Sequence, residues 1–306
     1  MGRIFIDVTQ SCRSSNNSGI QVVTRNLFRE IDFGHETIPM IWDARLRRYA
    51  RLSATEKRNL LNPFSQGYKP RARPNKQENP FHKELLSTLF RLGKRISLDG
   101  KPQEEDLIVF PEVFRDNRVF CLPTLIHPDF RKSAIFYDAN VLRNPEGTPQ
   151  ARVRNFQTYL DFLSGCDAIS CISEESRVAF EKHASGASGT RRTKVHHLPV
   201  EQPVSTPSIP MRKPPLILCV STLGYNKNHL ALLEAVEKLW SEGLKFELEL
   251  VGQADPSWTP KVLNALDGLT GMGRPVKWLQ HVDQNTLEEK YANCSFTVYP
   301  SLYEGF

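Results

Sequence analysis

The chain has 306 residues, 40% hydrophobic and 24% charged, the balance of a soluble globular protein whose length most simply makes two domains. No apolar stretch reaches about eighteen residues, so no spanning helix is expected. The apolar run after Met1 is too short for a secretory signal, and Ile6 stands where a myristoylation motif wants a small hydroxyl residue.

Cys12, Cys121, Cys166, Cys171, Cys219 and Cys294 form no C-x-x-C pair and no zinc-like spacing, so free thiols in a reducing cytoplasm are expected. The net charge of +6 is uneven: residues 45–101 hold fifteen Lys or Arg against four acids. One part of the molecule is therefore strongly basic and the remainder acidic.

Residues 3–9 read as an opening strand, followed by a small polar loop and a helix over 19–31. Further strands are expected at 37–41, 107–110, 134–137, 168–172 and 194–198, with helices at 150–163 and 174–183. Ser173 before Glu174 and Glu175 supplies a capping hydroxyl and first-turn acids. This alternation predicts a doubly wound α/β domain over 1–200. Residues 45–101, rich in Arg, Pro and Asn, break the pattern and read as an inserted segment of one or two helices joined by loops.

Pro203, Pro207, Pro210, Pro214 and Pro215 make a stiff linker over 201–215. A second α/β domain then runs over 216–306. Its strands are expected at 215–220, 246–251, 276–279 and 295–299, and its helices at 228–242 and 286–293. The first of these helices shows an apolar face at Leu230, Leu233, Val236, Leu239 and Trp240. Doubly wound domains usually hold five or six strands, so this one is expected to be incomplete and the chain to be a fragment.

Lys227 lies where a strand has ended and a helix begins. An ammonium and the unpaired N–H groups of a first turn would converge there on an anion such as a diphosphate. Glu304 follows the run Phe296-Thr297-Val298-Tyr299-Pro300, with Gly305 allowing close backbone approach to a polar ligand. Asp138, ending the apolar run Ile135-Phe136-Tyr137, is either an acceptor for a ligand hydroxyl or a cap for the next loop. Ser14-Ser15-Asn16-Asn17-Ser18-Gly19 is a plain turn or a loop whose N–H groups meet phosphate or acceptor hydroxyls. His127, His196 and His197 have no metal-like spacing with acids, and no Asp-x-Asp motif occurs, so no metal site and no cofactor are expected.

The segment Ser221–His229 together with Tyr299–Phe306 resembles the donor domain of retaining glycosyltransferases of family 4 (glycosyl transferase group 1). That resemblance implies the α/β GT-B fold, two facing Rossmann-like domains of which the second would here be incomplete. It implies Lys227 on the donor diphosphate and Glu304 on the transferred sugar, with Thr222, Asn228, Gly305 and Phe306 lining the donor. Val282 falls in the stretch that meets the nucleobase. Gly19 opens a segment similar to the family's Gly-Ile-x-Arg-Val helix start and is expected at the interdomain cleft. Tyr137 stands where the family has a His beside Asp138, and the family's later Glu, which holds the ribose, has no counterpart.

The implied activity is transfer of a hexose, with mannose one candidate, from a nucleoside-diphosphate sugar to a glycan or lipid-linked hydroxyl, with retention at the anomeric carbon. The implied setting is the cytoplasm, with residues 45–101 and the patch Leu85, Leu86, Leu89, Phe90 and Leu92 meeting an anionic inner membrane face. An inactive sugar-nucleotide or glycan-binding protein of the same fold is the alternative. A nucleic-acid binder built on the basic segment has no recognition motif behind it.

Overall fold

The computed structural model describes residues 2–13, 18–62, 91, 93–143, 148–184, 192–199, 212–254, 259–280 and 282–305. By its contacts the chain divides into two units, Met1–Pro199 with Gly305–Phe306, and Val200–Glu304.

The first unit is built on an eight-stranded sheet. Its strands are β1 (Ile4–Asp7), β2 (Thr37–Asp43), β3 (Arg48–Arg51), β4 (Arg95–Ile96), β5 (Leu107–Phe110), β6 (Arg131–Phe136), β7 (Ala168–Cys171) and β8 (Arg192–Val195). They lie in the order β4-β3-β2-β1-β5-β6-β7-β8, parallel except where β3 and β4 pair antiparallel. The helices are α1 (Thr9–Arg13), α2 (Gly19–Gly34), α3 (Ala54–Leu61), α4 (Arg118–Leu125), α5 (Asn140–Arg143), α6 (Gln150–Ser164) and α7 (Glu174–His183). Strand alternation sends Phe5, Ile108 and Phe110 into one core and Ile6 and Val109 into another, so the sheet is covered on both faces.

The expectation of an inserted segment at 45–101 needs correction. Its described ends supply β3, α3 and β4 to this sheet and its cover. Tyr49 packs edge-on against Trp42 at 5.2 Å, and its hydroxyl donates to Asp7 Oδ2 at 2.6 Å. Arg91 is buried and paired to both Asp43 and Glu56, so part of the basic charge is neutralised inside the unit. The patch Leu85, Leu86, Leu89, Phe90 and Leu92 lies outside the described residues, as do Ser14–Asn17 of the polar loop and 201–211 of the linker.

The second unit holds a four-stranded parallel sheet. In chain order it runs β9 (Leu216–Val220), a 3-10 turn (Tyr225–Lys227), α8 (His229–Ser241), β10 (Glu247–Val251), α9 (Thr259–Gly271), β11 (Val276–Leu279), α10 (Gln284–Asn293) and β12 (Phe296–Thr297). The strand order is β11-β10-β9-β12, so the winding reverses at β9, with β10 on one side and β12 on the other. In open α/β sheets such a reversal marks the crevice at the strands' carboxyl ends.

The buried face of α8 is His229, Leu232, Leu233, Val236 and Trp240, while Leu239 is exposed, so the helix is rotated from the expected apolar face toward its N-terminal histidine. Trp240 stacks on Phe246 at 5.1 Å and donates to its carbonyl at 3.0 Å, which closes the α8–β10 turn. At the end of β10, Gly252 has φ +150°, and a Cβ there would overlap the Ser221 carbonyl. Glycine is what lets the loops after β9 and β10 lie together. Among the described residues no helix is long and apolar enough to cross a membrane.

Candidate functional site

The apolar strand β9 ends in a loop held from both sides. The Ser221 N–H donates to the Val251 carbonyl at 2.9 Å, and that of Leu223 to Gln253 at 2.8 Å. Leu223 is fully buried, which anchors the loop on the second unit's core. The 3-10 turn then carries Lys227, and Asn228 follows in the left-handed region at φ 57°, reversing the chain into α8. Asn tolerates that conformation better than most residues.

The segment after β12 returns to the same place, where the Leu302 N–H donates to the Asn226 carbonyl at 2.8 Å. Lys227 Nζ then forms an ion pair with Glu304 Oε1. Their side chains are 25% and 37% exposed, so the pair is reachable from solvent. The two residues most informative in the sequence, far apart along the chain, thus meet beyond the carboxyl ends of adjacent strands β9 and β12, at the winding reversal. A primary ammonium there can take a phosphate oxygen, and the carboxylate can accept from sugar hydroxyls.

Of the other expected donor-side residues, Thr222 is exposed, and its carbonyl accepts from Gly224 at 2.7 Å. Val282 is half-buried and packs with the cluster of Leu216, Leu218, Val251 and Cys294. Phe306 lies outside the described residues. Two residues near Lys227 in the sequence to which no motif assigned a role, Ser221 and His229, are in contact. His229 is fully buried, with Nε2 3.2 Å from Ser221 Oγ. Burial, then the nearby Lys227 charge, lowers its pKa to about 4. The signal was in the sequence: a histidine on the apolar face of a helix start.

The His229 shift has a testable sign. Unfolded, the ring takes a proton near pH 6.5, whereas folded it resists until about 4, so the unfolded state binds more protons between those values. Stability of the second unit is therefore expected to fall as pH drops through this window, by about 3 kcal/mol. Urea unfolding at pH 7 and pH 4.5, compared with His229→Gln, isolates the effect. An identical pH dependence in both proteins would refute it.

In the first unit, Tyr137 and Asp138 lie just past β6. The Tyr137 hydroxyl is buried and donates to the Pro111 carbonyl at 2.8 Å, and burial, followed by the Glu112 carboxylate, raises its pKa. It is directed inward. Asp138 Oδ1 accepts the Asn140 N–H at 2.9 Å, the capping arrangement at the start of α5. Gly305 belongs to this unit, where its carbonyl accepts from the Ser176 hydroxyl at 2.6 Å and from Ser173. A Cβ on Gly305 would overlap the Tyr137 carbonyl, so glycine is required for this approach. Gly19 is exposed at the first turn of α2, behind a Ser18 whose N–H donates to Gln21 Oε1 at 3.0 Å.

The winding of the first sheet also reverses, between β1 and β5, but that crevice is filled by the protein's own charges. Glu112, just past β5, accepts the Gln10 and Ser11 N–H groups, both at 2.7 Å. Burial, then the Asp7 carboxylate, pushes its carboxyl up to about 7. Asp7 in turn takes Arg118 Nη1 at 2.6 Å and the Tyr49 hydroxyl. No sequence pattern announced this network, because its members are about a hundred residues apart. Among the described residues no cluster of three or more His, Cys, Asp or Glu could hold a metal.

Residues 214–306 match the family described as glycosyl transferases group 1. The chain is 26% identical over 191 residues to the serotype-specific mannosyltransferase WbdA of Escherichia coli, covering 56% of this chain and 23% of that protein. It thus spans about a quarter of the length of the curated relatives it matches. Among solved structures it is similar to HepE of Anabaena in complex with UDP and glucose, with a TM-score of 0.58 and 14% identity over 100% of this chain and 76% of that one. A sucrose-phosphate synthase of Thermosynechococcus elongatus gives 0.57 at 13% identity, covering 100% and 77%. The lipopolysaccharide outer core galactosyltransferase WaaB gives 0.55 at 14% identity, covering 100% and 76%. The fold is the α/β GT-B fold of glycosyltransferases.

Proposed function

We propose that the protein is a glycosyltransferase that moves a hexose from a nucleoside-diphosphate sugar to an acceptor hydroxyl. The observation that carries this reading is the Lys227–Glu304 pair, set across the winding reversal of the second unit within a segment that matches glycosyl transferases group 1. A diphosphate carries more charge than one carboxylate and can draw Lys227 from Glu304, leaving the carboxylate to accept from hydroxyls of the sugar. As the bond from the anomeric carbon to the leaving phosphate breaks, charge grows on that phosphate, and Lys227 stabilises it most at that moment. Lys227 and loop N–H groups meet this charge without a metal or a further cofactor.

Transfer proceeds with retention. The leaving phosphate oxygen takes the acceptor's proton on the face from which it departs, and the acceptor oxygen bonds to the anomeric carbon on that same face. Mannose is the first sugar to try, because the curated relative is a mannosyltransferase. The acceptor is a glycan or a lipid-linked glycan, met in the cytoplasm at an anionic membrane face that residues 45–101 approach by charge. Sedimentation with anionic against neutral vesicles tests that attachment.

A second reading, an inactive sugar-nucleotide-binding protein, is favoured by the Tyr137 hydroxyl being directed to Pro111. One assay separates the two. The full chain is incubated with GDP-mannose, UDP-glucose or UDP-galactose and mannose-containing oligosaccharides, and released nucleoside diphosphate is measured. Release with glycan extension supports the enzyme, and NMR of the anomeric proton in the product reads retention. Nucleotide binding without release supports the inactive protein.

A further inference from the structure

We propose that His229 is a positioning residue of this site, whose buried imidazole makes the Ser221 hydroxyl a fixed hydrogen-bond donor to the diphosphate held by Lys227. The proposal rests on the reading of Lys227 just given. His229 is fully buried, its Nε2 is 3.2 Å from Ser221 Oγ, and its Nδ1 has no partner among the described residues. A neutral imidazole has one N–H to place. With the proton on Nδ1, a buried donor would be orphaned, whereas with the proton on Nε2 only a lone pair goes unmet. Orphaned buried N–H groups are the rarer of the two in folded proteins. Nε2–H therefore donates to Ser221 Oγ at 3.2 Å, a nearer and stronger acceptor than Cys219 Sγ at 3.9 Å.

That assignment decides where the Ser221 proton goes. It cannot point back at Nε2–H. The other near group is Cys219 Sγ, 4.0 Å away and a weak acceptor. The remaining direction is outward, from the carboxyl end of β9, where Ser221 is half-buried at the start of the loop that carries Lys227. The backbone holds it there, with its N–H on Val251 and its carbonyl against Gly252. Depressed protonation of His229, under burial and the Lys227 charge, keeps the ring neutral at working pH. The result is a hydroxyl with one free donor direction on the loop that carries the Lys227 ammonium, suited to a phosphate oxygen.

The test is calorimetric titration of the full chain with UDP and with GDP. Ser221→Ala and His229→Leu should each weaken the tighter nucleotide about tenfold or more, the scale of one hydrogen bond to a charged group. The double variant should bind no more weakly than Ser221→Ala, because both act through one hydroxyl. His229→Gln, whose amide can donate to Ser221, should stay within about twofold of wild type, a difference of under half a kcal/mol. His229→Asn, whose shorter amide stops short of Ser221, should behave like the leucine variant and serves in its place if that one fails to fold. Unchanged binding in folded His229→Leu or His229→Asn, or additive losses in the double variant, would overturn the proposal. Loss of binding in Lys227→Ala, with Ser221→Ala unaffected, would overturn it and leave the Lys227 reading standing. Failure of the wild type to bind either nucleotide would sink both.

Discussion

Replacing Lys227 with alanine is expected to lower sugar transfer about a hundredfold or more, roughly 3 kcal/mol of transition-state stabilisation, the scale of removing one donor from a developing anion. The loss should fall mainly on kcat, because the phosphate gains its charge as the bond breaks. Folding should hardly change. The pair with Glu304 is solvent-reachable, and such ion pairs contribute between zero and about 1 kcal/mol. The exchange Lys227→Glu with Glu304→Lys separates structure from chemistry. It restores opposite charges yet puts the ammonium on the wrong loop, so activity should remain lost. Near-wild-type transfer by Lys227→Ala, or recovery of transfer by the exchanged pair, would refute the assigned role.

The largest stability effect should come from the first unit. Arg118 is fully buried, with Nη1 on Asp7 at 2.6 Å, Nε on Asp116 at 2.8 Å and its guanidinium 4.3 Å from the Phe114 ring centroid. Asp7 is equally buried and also accepts from Tyr49 and Thr9. Arg118→Ala leaves that carboxylate without its countercharge, a loss of about 3–5 kcal/mol when one partner of a buried pair is removed. Asp116→Asn is the control: this carboxylate is partly exposed, and its loss should cost about 1 kcal/mol or less. Urea unfolding of the full chain, followed by circular dichroism, measures both. A loss under about 1 kcal/mol for Arg118→Ala would contradict the account of this network.

Much of the fold was legible in the sequence because its signals are local. The apolar runs of β5 and β11 and the capped start of α7 stand out within a few residues, and each element lies where it was expected. The elements missed have local signals that oppose their structure. β3 is flanked by arginines, and its Tyr49 earns a buried place only through Trp42 and Asp7 across the sheet. In α9, Gly268 and the terminal Gly271 weaken the local helix signal, although Val262, Leu266 and Leu269 keep a helical spacing and Pro260 sits in the first turn, where proline is tolerated.

At the site, Lys227 and Glu304 were visible as motif residues, but their meeting depends on β12 lying beside β9. The inward turn of the Tyr137 hydroxyl and the Ser221–His229 contact depend on packing that a one-dimensional pattern does not carry. The buried charges Asp7, Glu112 and Arg118 were the least legible. Each is an ordinary polar residue in sequence and becomes unusual only through a partner from another strand's loop.

The most direct measurement of the central claim is a crystal structure of the full chain soaked with GDP-mannose or UDP-glucose. The account predicts the diphosphate beyond the carboxyl ends of β9 and β12, with a phosphate oxygen about 3 Å from Lys227 Nζ and the sugar hydroxyls on Glu304. A diphosphate bound anywhere else, or Lys227 still paired to Glu304 with nucleotide present, would contradict it.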